Sequence, residues 1–528
     1  MFIDQLPPGL EDAEQLLKRR EKARQKKELW RSTYQEAFRY AMPTREDFSW
    51  QTEGQQKQFL YDSTLQEAAY TAANTTVALL FPSWTRWAEL SPGPAIPKDA
   101  ITPEILDGLQ KATETFFGFL NGSNFNTVIG EAALDLMIGT CAINFDEGDR
   151  DHPFQFSSVP LSAIEIEEGP DGSVESKFMC RKVKARNVLR LYEGMLLEDL
   201  SASVQDAYKA DPDKEFDFVQ MELYNPTNKH YYGVVVEAAE KKIVWRYDYG
   251  QSCPGIVARA TKLTGETFGR GRVLLALPDA KTLDRMQEFV LRHAALNVAP
   301  PMTGVSDGVL NPYTATLTPN TIIPVASNDN GSPSLRTLDV GGNFQITEAI
   351  MDGLRQRVRR TMIGPEPSEG AVKSATEISI SDRNRSWAMN GEFGRIQSEL
   401  LFKIIARGVF ILQKKGLMAP FKVDGRQVVV SYTSPFSKSQ KAEDVMALQE
   451  TVMLSQGSGP QNLELNLKLE EIPRWIARMK GVPEELIRDE GERDQYKQEM
   501  QQRAALVMQS QMQAQNPQQT AEAPPPGA

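Results

Sequence analysis

The strongest electrostatic candidate in this chain is the run RQRVRR, which brings Arg355, Arg357, Arg359 and Arg360 close together. Guanidinium groups at that density suit nucleic-acid phosphates or the carboxylates of another subunit, and they equally suit an exposed, solvated helix face. Lys373, a little further on, poses the same alternatives. The acidic candidates are Glu165, Glu167 and Glu168, just before the GPDG sequence at 169–172. They have the composition of a hydrolytic or cation-binding cluster, but carboxylates are abundant here and a solvated turn is the expected reading. The histidines are His152, His230 and His293, and none has H-E-x-x-H spacing, so each reads as a surface or packing residue. Gly269 and Gly271 form only a G-x-G fragment, without the third glycine or the β-α unit of a dinucleotide site, and are expected to make a turn before a helix. There is no G-x-x-x-x-G-K-[ST] phosphate loop and no G-x-S-x-G elbow. Trp84 and Trp87 have the chemistry to stack on bases, although packing in an aromatic core is the commoner use. No catalytic, metal or cofactor-binding residue is expected.

Composition points the same way. The chain has 528 residues, 41% hydrophobic and 24% charged, enough for two to four globular domains. A net charge of −11 argues against tight nonspecific DNA binding, which comes from lysines and arginines neutralising phosphates. An acidic surface would instead repel DNA and let it slide. Cys141, Cys180 and Cys253 are widely spaced and odd in number, which indicates neither a disulfide framework nor a zinc ribbon, and a reducing compartment is expected. The opening MFIDQLPPGLED has no signal-peptide pattern. The most apolar stretch, LLFKIIARGVFIL, carries Lys403 and Arg407 and reads as a buried amphipathic helix instead of a membrane span.

The elements that would position these residues follow from periodicity and punctuation. A charged helix is expected over 10–40, packed by Leu16, Leu29, Trp30, Tyr34 and Phe38 and stopped by Pro43. Ser63 and Gln66 have capping-box spacing before a second helix that Pro82 ends. A further helix is expected around Phe125 to Ile138. From about Phe154 to Tyr249 the period moves towards two, with GPDG joining two strands and YYGVVV facing KIVWRY, an antiparallel sheet. FGRGRVLLALPDAKTLDRMQEFVLRHAALN then returns to helical spacing through Leu283, Met286, Val290 and Leu296. From Asn297 to Gly342, Pro312, Pro319, Pro324 and Pro333 punctuate a compact, β-leaning insert. In FQITEAIMDGLRQRVRRTMI, residues Ile346, Ile350, Leu354, Val358 and Met362 share one face, with the arginines on others. Gly364, Pro365 and Pro367 break that helix, and after a loop that also holds Glu366, Ser368, Glu369, Gly370 and Lys373 a pattern of about 39 residues runs from Ala375 to Gln413, near 60 Å if fully helical. Gly391 and Gly394 interrupt it, which predicts a kink or a tight crossing. A short strand, RQVVVSY, precedes a third helical region over 438–478, and the Gln-, Ala- and Pro-rich end after residue 496 is expected to be partly disordered. The fold class is α+β and helix-rich.

This order of features, with SATEIS opening the long helix, the paired glycines within it, SELLFKIIARGVFILQKKGL after them, LLKRREKARQKKELWRSTYQEAFRYAMP near the start and ALLFPSWTRWAEL later, resembles the portal proteins (head-to-tail connectors) of short-tailed bacteriophages. The resemblance runs to about residue 490 and rests on order and spacing, since no single motif is a signature. It implies a portal fold assembled as a ring: a wing over 1–267, stem helices at 268–296 and 343–363 around a clip at 297–342, a tunnel loop at 364–374, a long wing helix and strand at 375–437, a crown at 438–496 and a tail. It further implies a virion protein at the capsid portal vertex, assembled in the bacterial cytoplasm. That protein would be a homo-oligomer, a dodecamer, passing double-stranded DNA. Its partners would be the terminase large subunit, scaffolding and coat proteins and a tail adaptor protein, with no membrane and no cofactor. The arginine cluster and Lys373 would then face the DNA channel or a subunit interface. The alternatives are another head-tail joining or assembly protein of the virion and, from a different class, a cytosolic multidomain enzyme with an unrecognised site.

Overall fold

The computed structural model describes residues 3, 5–45, 59–83, 85–97, 102–192, 194–298, 302–304, 335–337, 344–364, 394–421, 428–432 and 435–456, with short stretches between 466 and 507. They divide into two units, Met1–Tyr432 and Thr433–Ala528.

The first unit opens with α1 (Ala13–Ala41), α2 (Thr64–Leu80), β1 (Ala88–Pro92), α3 (Pro103–Asn121) and α4 (Phe125–Ile138). Strands β2 (Thr140–Glu147), β3 (Phe154–Val159), β4 (Ile164–Glu168) and β5 (Val174–Lys184) follow, then α5 (Val188–Leu191) and α6 (Ala202–Ala210). After them come β6 (Glu215–Asn225), β7 (His230–Glu237), β8 (Lys242–Gly250) and β9 (Gly255–Arg259). The unit continues with α7 (Arg272–Val298), β10 (Met302–Gly304), β11 (Leu335–Thr337), α8 (Phe344–Ile363), α9 (Phe402–Lys414) and β12 (Val428–Tyr432). The second unit contains α10 (Pro435–Gln456) and α11 (Ile472–Lys480), which pack on one another.

Strands β4-β5-β6-β7-β8 form an antiparallel sheet in that order. Period-two alternation gives it two apolar faces. Val219, Met221, Leu223, Val234 and Val236 point to one side, where Leu16 and Ala23 of α1 cover them. Phe218, Val235 and Val244 point to the other, under Val188 of α5 and Val204 of α6. A second sheet, β3-β2-β9, carries Phe145, Phe154 and Phe156, which meet Phe116 of α3 and Phe125 of α4 in an aromatic core. Trp87 belongs to the same core, buried against Phe81 and Phe117, so packing is its use; Trp84 lies outside the described residues.

Several local expectations are corrected. Leu29 does not pack: it is 81% exposed, and Trp30 instead lies under the Arg270 guanidinium, 4.9 Å from its ring centre. Ser63 stands at the N-cap of α2, but its side chain makes no capping bond. The Asp62 carboxylate accepts the Thr64 N–H at 2.9 Å, and as a charged acceptor it takes the place the capping box would have filled. Of the two glycines expected to mark a kink or crossing, Gly391 lies outside the described residues and Gly394 faces open space. The irregularity sits just beyond, in a π-helical turn at Gln397–Leu401 that leads into α9. The tight crossing is at Gly408, where a Cβ would stand 2.3 Å from the Phe116 ring.

α7 and α8 form an antiparallel hairpin. Leu283, Met351 and Leu354 are buried between them, and Val358 and Met362 are buried too, whereas Ile346 and Ile350 are exposed. The described part of the insert between the helices is the β10/β11 ladder, Met302 opposite Thr337. No helix among the described residues is long and apolar enough to cross a membrane.

Candidate functional site

The root of the hairpin is tied to the rest of the unit by charge. Asp284 on α7, nearly buried, accepts the N–H groups of Tyr61 and Asp62 at 2.6 and 3.1 Å. Asp62 in turn takes the Arg355 Nε at 3.2 Å, and Arg355 also reaches Asp352 at 2.9 Å and Gln287 of α7 at 3.3 Å. One guanidinium thus links α8, α7 and the start of α2. Arg359, one turn on, approaches Glu67 of α2 at 3.6 Å, and Arg357 points to Asp279 of α7 at 3.3 Å. Exposed pairs of this kind contribute about 0–1 kcal/mol each. Arg360 is exposed and has no ion partner among the described residues. The four arginines therefore do not form one surface: they diverge around the helix. Gly364 closes α8 with φ +96°, its N–H donating to the Arg360 carbonyl at 3.0 Å, a C-terminal cap that a side chain would strain. Pro365, Glu366, Pro367, Ser368, Glu369, Gly370 and Lys373 lie outside the described residues.

A second set of charged residues, which no local spacing reveals, fastens the π-helical turn and α9 to the sheets. Arg259, at the end of β9, is fully buried. Its Nη2 donates to Glu399 at 2.5 Å and to the Gly172 carbonyl at 2.8 Å, Nη1 donates to Glu168 and to the Thr267 carbonyl, and Nε completes the fork on Glu399. All five N–H donors of the guanidinium are used, the condition under which a buried cation is tolerated. Two turns along α9, Arg407 is almost as buried and donates to the Phe145 and Ser252 carbonyls and to Glu147, which Lys414 also holds at 2.7 Å. Glu399, Lys403 and Arg407 recur every four residues, so the helix turns one charged stripe towards the sheets, with Glu399 and Arg407 buried, Lys403 half-buried between them, and Ile404, Ile405, Val409 and Leu412 packed around it.

Glu165, Glu167 and Glu168 belong to this lattice. They are not a solvated turn, as expected from their abundance. Glu165 is buried and held by Arg20 at 2.8 Å, and Glu167 meets Arg19 at 2.6 Å, both from α1. A bulge between Glu167 and Glu168 re-aims the third carboxylate to Arg259 and Lys262. The glycines of FGRGR act in the same region. Gly269 and Gly271 pass so close to the end of α4 that a Cβ on Gly271 would lie 2.0 Å from the Met137 carbonyl oxygen. Tyr34 of α1 donates to the Gly269 carbonyl at 2.7 Å across that contact.

Lys403 is the weak point of the stripe. Burial, and then the neighbouring Lys177, push its ammonium down to about 8 although Glu399 opposes them. A lysine whose folded-state pKa is depressed costs stability where it is protonated in both states and stops costing it once it is neutral in both. The wild-type chain should therefore gain stability as pH rises from about 8 towards the ordinary lysine value of 10.5. Lys403→Met is expected to be the more stable protein at pH 7, with the gap in urea midpoint closing across that window. An unchanged gap would show that Lys403 is solvated.

Burial pushes the Cys141 and Cys253 thiols up to about 12, where they are protonated and poor nucleophiles. His230 pairs with Asp248 at 3.1 Å on the sheet surface. Among the described residues no group of three or more His, Cys, Asp or Glu side chains is placed to hold a metal ion.

Comparison with known proteins gives the following. None of the curated proteins matches the chain. Among the solved structures that align with it are two assembled particles, both at low likeness. The neck of an empty gene transfer agent (GTA) particle does so at 10% identity and a TM-score of 0.36, over 81% of this chain and 92% of that one. The virion of a native gene transfer agent particle does so at 8% identity and 0.36, over 79% and 88%. At those scores the likeness bears no argument about the fold. The family described as bacteriophage head to tail connecting protein matches residues 13–487, which takes in every anchor described above. The chain belongs to the bacteriophage head to tail connecting protein family, whose function is the connection of head to tail.

Proposed function

We propose that this chain is the portal subunit itself: a non-enzymatic protein that closes into a ring, a dodecamer, at one capsid vertex and passes double-stranded DNA in packaging and ejection. The observation that carries the reading is the outer half of the α7/α8 hairpin. Phe289 (56%), Val298 (87%) and Ile350 (50%) are exposed there, beyond the point where Leu283, Met351 and Leu354 bury one another. Apolar side chains left in water along a two-helix arm suit a stem packed against the arms of neighbouring copies. In a ring that contact is heterologous, one face of each hairpin meeting a different face of the next.

On this reading α7 and α8 are the stem, the insert at 297–342 is the clip that meets the terminase large subunit and the tail adaptor, residues 364–374 form the tunnel loop, and the second unit belongs to the crown. Scaffolding and coat proteins meet the outside. Arg360, exposed and unpaired among the described residues, is then the member of the arginine cluster available to DNA or to a neighbouring copy, while Arg355, Arg357 and Arg359 brace the arm. The purified protein should appear in electron micrographs as rings with a central hole. Phe289→Asp with Ile350→Asp should leave single folded subunits by native mass spectrometry. Monomers or dimers alone from the unaltered chain, across assembly conditions, would refute the ring.

A further inference from the structure

β5 outruns one of its neighbours. β4 pairs with it only along Val174–Met179, whereas β6 stays beside it from Lys177 to Lys184. Among the described strands none flanks the β4 side of Cys180–Lys184, so the backbone groups facing that way have no ladder partner. Across the gap stands β3, an edge strand of the other sheet. Between the two edges lies an open cleft of about 770 Å³ that α5 borders. Val159, Met179, Val183 and Leu191 give it apolar walls.

Its charge is one-sided. Arg181, Lys182 and Arg190 line it, and none of the three forms an ion pair among the described residues; the polar contact of Arg181 is Nε to the Met179 sulfur at 3.4 Å. Lys184 is shared out to Asp213 at 3.3 Å, and Glu215 is the one carboxylate in the lining. Three cations without an ion pair among the described residues thus surround an apolar cleft in a chain of net charge −11.

We propose that this cleft binds an extended acidic segment of a partner polypeptide, which adds to the sheet beside Cys180–Lys184. The free edge would supply main-chain hydrogen bonds over about five residues, roughly 17 Å of strand. Arg181 shares its face of β5 with Met179 and Val183 while Lys182 points to the opposite face, so the segment sets a carboxylate between two apolar side chains on the first face, where Arg190 also stands, and a further carboxylate opposite Lys182 on the other. Nucleic-acid phosphates would satisfy the cations but neither the apolar walls nor the unpaired strand edge, so a peptide is the better match.

The test uses the full-length protein and a fluorescein-labelled, capped peptide containing Val-Glu-Glu-Glu-Val, which sets Val, Glu and Val on the face of Met179, Arg181 and Val183, followed by fluorescence anisotropy. Saturable binding is expected. The double variant Arg181→Glu with Arg190→Glu should weaken it by at least about tenfold, since each cation faces a partner charge. A peptide N-methylated at alternate positions should lose a similar factor, because it cannot complete the ladder. Circular dichroism checks that the variant is folded, and Arg181→Gln, a polar side chain that removes the charge without reversing it, serves if it is not. Absence of saturable binding, equal affinity for the N-methylated peptide, or undiminished binding by the variants overturns the proposal. So does tighter binding of a DNA duplex that the same substitutions abolish. Loss of self-association in sedimentation on mutating Arg181 and Arg190 would instead assign the cleft to a second copy of this chain, and would equally overturn it.

Discussion

Arg259→Ala is expected to cost the folded chain about 3–5 kcal/mol, the usual consequence of removing one side of a buried ion pair. The loss comes less from the missing attraction than from what stays behind. Glu399, 7% exposed, would be left with Arg395 at 3.3 Å as its cation, and the carbonyls of Gly172 and Thr267 would lose donors. Arg259→Lys should fall nearly as far, because an ammonium cannot present five donors in a fork. The double variant with Glu399→Ala should lose less than the two singles summed, since the second change removes a charge that the first has stranded. Urea midpoints followed by tryptophan fluorescence measure all five proteins, the wild type and Glu399→Ala alone included. A midpoint for Arg259→Ala within about 0.5 kcal/mol of the wild type, the range of ordinary surface changes, would show that this network does not hold α9 in place.

Gly271→Ala is expected to be the most damaging methyl group that can be added at the described glycines of the first unit. The new Cβ would stand 2.0 Å from the Met137 carbonyl oxygen and 2.6 Å from the Ile138 carbonyl carbon. Overpacking in a core ordinarily costs about 1–3 kcal/mol, and rotamer changes absorb part of it. Here the obstacle is main chain, held on its far side by the Gly271 N–H bond to the Ile138 carbonyl at 2.9 Å, so relief requires α4 and α7 to separate. Soluble yield should fall sharply and the thermal midpoint of what remains should drop. Gly139→Ala should behave alike, its Cβ 2.1 Å from the Gly269 carbonyl oxygen. The control is Gly118→Ala in α3, exposed with nothing within 4 Å, which should stabilise by about 0.4–1 kcal/mol. Equal yields and midpoints for Gly271→Ala and Gly118→Ala would show that the α4–α7 contact is looser than these distances.

Much of the secondary structure follows from properties that each stretch carries alone. Alternation placed β7 against β8, with Val235 opposite Trp245, and the GPDG turn joined β4 to β5, with Gly172 at φ +77°. Helical spacing and the glycine after it ended α8 at Gly364. These are nearest-neighbour effects, so a window of ten residues contains their cause. Composition was a poorer guide to the acids before that turn. Glu165, Glu167 and Glu168 look solvated until α1 and β9 bring Arg20, Arg19 and Arg259 to them.

The same limit applies to the anchors of α9. Arg259 and Glu399 are 140 positions apart, and Arg407 and Glu147 are 260 apart. Neither pair leaves a mark on local spacing, because what selects an ion pair in a core is the space left between packed elements. The chain's own pattern determined that LLFKIIARGVFIL would be a helix with a charged stripe. Only the tertiary structure decided that the stripe turns inward, where low polarity makes each unpaired charge costly and so forces Arg259 and Arg407 to find the acids that pin α9 to both sheets.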